Sequence, residues 1–168
     1  MKHSVIIFIF LAGTILANAQ NGKANTTKKT FSRETSISVE INADPGIVWA
    51  LLTNASDYPR WNSTITSIEG EIKLGNKIKL KSYLDPKRTF KLKVKEFVPN
   101  QKLSWGDGKG TRIYTIQKTS GNMLTFSMVE KIGGFMFPMY KKYIPPFDES
   151  FEKFAADIKK EAEARQGN

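Results

Sequence analysis

Three residues in the second half of the chain have the types and spacing to act together. Leu124, Phe126, Met128 and Glu130 share one side of an alternating stretch, so three apolar neighbours carry the glutamate inward. Arg112 and Tyr114 alternate with Ile116 on the preceding stretch, and a turn about Ser120-Gly121-Asn122 would pair the two stretches as a hairpin. A carboxylate held among apolar side chains needs a partner or a raised pKa. Arg112 and Tyr114 are the partners within reach, and with Glu130 they form the acid–base set if the protein is an enzyme. A glutamate at the wet end of a strand would instead close a solvated ion pair, and both readings stand.

Little else in the chain could catalyse. There is no cysteine, and the single histidine, His3, lies in a segment with the features of a signal peptide. Lys2 and His3 form a short basic start, Val5 to Leu16 an apolar run, and Ala17-Asn18-Ala19 a cleavage site before Gln20. The run falls short of the about 20 residues a membrane span needs. Cleavage near Ala19/Gln20 would export the protein to the periplasm or the exterior; an uncleaved anchor is the alternative. The remaining chain has no imidazole base, no thiol nucleophile and no Ser-His-Asp triad. It lacks the nitrogen and sulfur ligands that zinc usually takes, and no Gly-rich phosphate loop is present. No metal site and no cofactor is expected. Any catalysis would come from Asp, Glu, Tyr, Lys or Arg around a bound ligand.

These side chains need a scaffold, and the alternation of apolar residues describes one. Residues 20–30 are polar and read as a disordered leader, followed by one domain over residues 31–166. A first strand covers Glu34 to Ile41. After a helical interval, strands are expected at Thr64 to Glu71, at Lys77 to Leu84, and through Phe90, Leu92 and Val94. Asp85-Pro86-Lys87 reads as the turn between the second and third of these. Leu103 and Trp105 mark a short strand closed by Gly106 to Gly110, and the hairpin of Arg112 to Lys118 with Met123 to Ile132 completes about seven strands. Phe147, Phe151, Phe154, Ala155, Ile158 and Ala162 then form one stripe of a long C-terminal helix that starts at Pro145-Pro146 and frays at Gly167. The fold class is α+β. One helix cannot fill the concave face of such a sheet, so a hollow between them is expected, and apolar hollows are the usual small-molecule sites.

The interval between the first strands, Ala43 to Asn62, carries the most specific pattern. Asp44 is a candidate N-cap, Pro45 suits the first helical position, and Ile47, Val48, Leu51 and Leu52 make an apolar face. Tyr58-Pro59-Arg60-Trp61-Asn62 forms a second compact turn, so two short helices follow the first strand. The P-x-x-V-W-x-x-L-T run from Pro45 to Thr53, followed by Y-P-x-W-N from Tyr58 to Asn62, resembles the SRPBCC superfamily. That superfamily has the START-like helix-grip fold and includes polyketide cyclases and lipid-transfer domains; the resemblance covers Phe31 to Arg165. It implies a curved sheet gripping the C-terminal helix, with Tyr58 to Trp61 beside the cavity and Gly133 to Tyr140 lining or gating its mouth. A glutamate near the end of the last strand, shortly before a glycine, is similar to the superfamily pattern.

The expected ligand-binding set is Trp61, Leu80, Leu92, Trp105, Tyr114, Leu124, Phe126, Met128, Glu130, Phe135 and Phe151, around a hydrophobic or amphipathic molecule. Trp49 is read as core filling. A polyketide cyclase/dehydrase-type enzyme is the alternative function. Charge suggests a third. The net charge is +10, and residues 71–118 hold 13 basic against 4 acidic residues. Lys77, Lys79 and Lys81 on one strand and Lys91, Lys93 and Lys95 on its neighbour would make a basic outer face, suited either to an anionic membrane surface or simply to solvation. Aromatic residues do not interleave these lysines, so nucleic acid is not expected as a partner. A monomer is expected.

Overall fold

The alternation resolves into one antiparallel sheet of eight strands in the order β1-β2-β8-β7-β6-β5-β4-β3. The computed structural model describes residues 22–167, so residues 1–19, read above as a signal peptide, and the cleavage site expected after them lie outside the described residues. The strands are β1 (Asn25–Lys28), β2 (Ser32–Asn42), β3 (Ile65–Glu69), β4 (Lys77–Ser82), β5 (Asp85–Val98), β6 (Lys102–Gly106), β7 (Gly110–Lys118) and β8 (Met123–Gly133). From β3 to β8 they form a meander. The chain then closes on itself through β8 pairing with β2, in register from Ser32↔Gly133 to Asn42↔Met123. Among the described residues four α-helices complete the fold: α1 (Pro45–Thr53), α2 (Tyr58–Trp61), α3 (Phe137–Tyr140) and α4 (Asp148–Gln166). This is the helix-grip architecture.

The α1–α2 interval folds as its residues dictate. The Asp44 carboxylate accepts from the Gly46 N–H at 2.7 Å, and Pro45 opens α1. Val48, Leu51 and Leu52 are buried, and the Tyr58 hydroxyl donates to the Leu52 carbonyl at 3.0 Å to tie α2 back to α1. Asn62 ends α2, its Oδ1 accepting from the N–H groups of Thr64 and Ile65 and from the Thr64 hydroxyl. Trp49 is half-buried, edge-on to Phe97 with ring centres 4.9 Å apart. On α4 the residues Phe151, Phe154, Ala155, Ile158 and Ala162 are buried, as the stripe predicts.

Two expectations are corrected. The polar stretch expected as a disordered leader contains β1, which makes eight strands rather than seven. Main-chain pairing with β2 substitutes there for apolar burial. The Thr26 hydroxyl bonds Thr35 and donates to Asp148 at 2.9 Å, and the Ala24 N–H donates to Glu152 at 3.1 Å, fastening this edge to α4. The β4–β5 turn, expected at Asp85-Pro86-Lys87, lies at Tyr83-Leu84 instead, with Ser82 opposite Asp85. The next paired position is Leu80↔Phe90, so Pro86 sits in an irregular stretch where its missing N–H leaves no ladder bond unmade.

Candidate functional site

The helix does not cover the sheet evenly. It packs mainly against β2 and α1, with little contact to β8. One end of the interior is therefore solid. Trp61, Tyr114, Phe126 and Phe154 interlock there, with Phe154 lying 5.6 Å from Trp61, 5.5 Å from Tyr114 and 6.2 Å from Phe126 between ring centres. At the other end, under β4–β7 and the N-terminus of α4, a cavity of about 240 Å³ remains. Its apolar wall is Ile65, Leu80, Phe90, Leu92, Trp105 and Ile132. Phe147 and Ser150 of α4 border it, and Tyr140, Tyr143, Ile144 and Pro145 reach it from the strap that joins β8 to α4.

Of the charged side chains that border the cavity, Asp85 is half-buried and Arg88, Asp107 and Lys109 are exposed, while Arg112 and Glu130 are paired within the wall. Arg112 and Glu130 are directly opposite on β7 and β8 and form an ion pair in which the arginine Nε donates to Glu130 Oε2 and Nη2 lies against the same oxygen. The side chains retain only 14% and 17% exposure, so the pair is largely dry. Burial alone would lower the Arg112 pKa, but the Glu130 carboxylate beside it outweighs that and holds the guanidinium above its usual value. Burial raises the Tyr114 phenol, and the Arg112 charge offsets only part of that rise. The Tyr114 hydroxyl is buried with no hydrogen-bond partner among the described residues. The second carboxylate oxygen, Glu130 Oε1, is bonded to none of the described residues, which leaves one acceptor on the wall.

The turns around the cavity are built by specific residues. In the β6–β7 turn, Asp107 Oδ1 accepts from the N–H groups of Lys109 and Gly110, at 2.7 and 2.9 Å. A Cβ at Gly106 would stand 2.2 Å from the Gly110 carbonyl oxygen, so only glycine lets β6 and β7 close there. Arg33 pins the strap, donating to the carbonyls of Ile144 and Pro145 at 3.2 and 2.7 Å, and its guanidinium lies 4.6 Å from the Phe147 ring centre.

Of the residues predicted from sequence, Leu80, Leu92, Trp105, Arg112 and Glu130 meet at the cavity. The others are placed differently. Tyr114, Leu124, Phe126 and Met128 do face inward, but they are fully buried in the solid end, where Phe154 fills the space. Trp61 packs between Tyr58 and Phe154 in the same core and does not line the cavity. Phe151 is buried with its ring centre 5.2 Å from the Arg112 guanidinium, so it backs the charged pair rather than forming the wall. Phe135 points away from the cavity and is 86% exposed. Sequence reasoning missed Ile65, Phe90, Ile132, Ser150 and Arg33. Phe90 was legible, since it alternates with Leu92; Arg33 carries no local signal, because its partners are more than a hundred residues away.

Residues 32–163 match the family model described as polyketide cyclase / dehydrase and lipid transport. No curated protein matches the chain. Solved structures share the fold at low sequence identity. A protein from Nitrosomonas europaea is 12% identical, with 84% of this chain and all of that chain covered at a TM-score of 0.61. Norcoclaurine synthase from Thalictrum, solved as a point mutant with a transition-state analogue, is 12% identical over 83% of this chain and 99% of that chain, TM-score 0.60. A START superfamily protein from Mycobacterium smegmatis is 16% identical over 80% and 97%, TM-score 0.55.

Proposed function

We propose that this chain, which belongs to the polyketide cyclase / dehydrase and lipid transport family, binds a hydrophobic or amphipathic small molecule between its sheet and α4. The observation that carries this reading is the hollow itself. It has apolar walls at Leu80, Phe90, Leu92 and Trp105, the paired Arg112 and Glu130 set among them, and Asp85, Arg88, Asp107 and Lys109 also along its border. Its volume is about 240 Å³, against the about 150 Å³ of an engineered apolar cavity that takes up benzene. One or two rings, or a chain segment of that bulk, would fit, and a longer ligand would project past Tyr143 and Lys109. The Glu130 Oε1 acceptor favours a ligand that brings a hydroxyl or N–H donor to the wall. Native mass spectrometry of freshly purified protein, followed by extraction, tests the proposal. A retained apolar molecule, or saturable uptake of a fluorescent apolar probe, supports it; neither appearing rejects it.

The Arg112–Glu130 pair on the cavity wall favours a second reading, an enzyme of the cyclase/dehydrase type. Norcoclaurine synthase shows that this fold can host catalysis. Here Glu130 would handle the proton and Arg112 would hold the carboxylate in place, while Tyr114 would act only through Arg112. Turnover lost in Glu130→Gln and Arg112→Met, with ligand uptake retained, would support it; unchanged turnover in both would remove it. The basic start, apolar run and Ala17-Asn18-Ala19 site of residues 1–19 support a further proposal, that the protein works outside the cytoplasm, and a mature N-terminus at Gln20 in the exported fraction is the check.

A further inference from the structure

Among the described residues, seven large hydrophobic side chains are exposed, and five of them fall in two short segments that meet: Phe31, Phe135, Met136, Met139 and Tyr143. Phe31 sits in the β1–β2 turn and the rest on the strap between β8 and α4. The segments touch, with the rings of Phe31 and Phe135 stacked at 6.4 Å and the Gly134 N–H donating to the Phe31 carbonyl at 3.0 Å. The exposure is built into the backbone. Gly134 has φ +125°, a conformation side-chain-bearing residues rarely adopt, and beyond it Phe135 points outward while Phe137 is buried as the anchor.

The rim of this apolar patch is basic. Lys28 and Lys29 precede Phe31, Lys141 and Lys142 precede Tyr143, and Lys109 and Lys131 flank the strap's exit from β8; all six are exposed. Lys109 and Lys142 lie over the rings of Tyr140 and Tyr143, at 5.3 and 5.0 Å. None of the six joins an ion pair among the described residues. The acidic groups nearby are Glu34, across from Lys131, and Asp107, which is taken up by its own turn. Aromatic and methionine side chains protruding within a ring of unpaired lysines match the layering of an anionic bilayer surface, with apolar tips below and ammonium groups at the phosphates.

We propose that this strap, not the lysine face of β4 and β5, docks the protein on an anionic lipid bilayer. On the β4–β5 face Lys77 opposes Lys93 and Lys79 opposes Lys91, and no exposed large apolar side chain stands among them. That face can attract a membrane but has nothing to insert. Tyr143, Ile144 and Pro145 of the strap also border the cavity, so docking would turn the mouth toward the lipid. The docking does not depend on what the cavity holds.

The absence of native cysteine allows a direct test. Phe135→Cys carrying an environment-sensitive fluorophore is compared with Lys91→Cys and Leu74→Cys, each added to phosphatidylcholine–phosphatidylglycerol vesicles and to phosphatidylcholine alone. The expected result is a blue shift at position 135 only, on the anionic vesicles. Co-sedimentation should fall about tenfold or more in Phe135→Ser/Met139→Ser, and about fivefold for each of Lys141→Ser and Lys142→Ser. Lys79→Ser/Lys91→Ser/Lys93→Ser should bind as the parent does. A blue shift at position 91 instead of 135 overturns the proposal in favour of the sheet face. No vesicle binding, with a concentration-dependent dimer lost in Phe135→Ser, overturns it in favour of a second copy of the chain.

Discussion

The two ends of the interior lie between one sheet and one helix, yet one is a packed core and the other is hollow. At the packed end four aromatic rings from β7, β8, α2 and α4 interlock. At the hollow end Leu80, Phe90, Leu92 and Trp105 face a helix that has turned toward β2 and α1. An inward-facing apolar residue is therefore packed or cavity-facing according to where α4 lies over it, not according to its own type.

The largest expected effect breaks the packed end. Phe154→Ala should cost about 3–5 kcal/mol, because the rings around it relax only partly into the vacancy; Leu92→Ala, already beside empty space, should cost about 1 kcal/mol. Urea denaturation of both variants measures the contrast, and equal costs would mean that the hollow is packed in solution. Next comes the charged pair. Glu130→Gln leaves the Arg112 cation in a largely dry wall and should cost about 2–4 kcal/mol, while Arg112→Met/Glu130→Leu should recover most of that loss. A double-variant cycle by chemical denaturation checks it.

Filling the hollow sharpens the comparison from the other side. Leu92→Trp should shift stability by no more than about 1 kcal/mol, against about 1–3 kcal/mol for an equal enlargement such as Leu124→Trp in the packed end. The Leu92 variant should still lose uptake of an apolar probe, read by titration.

The smallest effect concerns the outer seam of the packed end, where Asp57 meets Arg60 at 2.7 Å and Arg165 at 2.7 Å. The hydrogen bond from Arg60, then that from Arg165, holds the Asp57 pKa down to about 2, against the usual 3.8. A depressed carboxylate stabilises the fold above pH 3.8, and that contribution is lost as pH falls from 3.8 towards 2. Solvent screening limits it to no more than about 1 kcal/mol. Acid titration of thermal midpoints should show this loss in the parent and not in Asp57→Asn.

Much of the architecture was legible. Alternation located β2, β7, β8 and the turn between them, and the stripe from Phe151 to Ala162 located α4. The opposition of Arg112 and Glu130 followed from a single hairpin register. The misses have common causes. β1 is held by an edge ladder and by hydrogen bonds to α4, which leave no apolar period to detect. Pro86 suggested a turn because an irregular strand tolerates proline as well as a turn does. Phe135 belongs to a stretch without period, where apolar composition cannot tell an inward side chain from an outward one.

The sequence by itself determined which way the residues of β2, β7 and β8 point and that one long helix must cover the sheet, because side-chain alternation and helical spacing are local properties of the backbone. Where the cavity lies, and which inward residues border it, only the tertiary structure decided. The space left over depends on the tilt of α4 and the summed volumes of rings drawn from distant elements, and no short stretch of chain contains that sum. The direction of Phe135 was settled in the same way, by a backbone turn at Gly134 held against Phe31 across the fold.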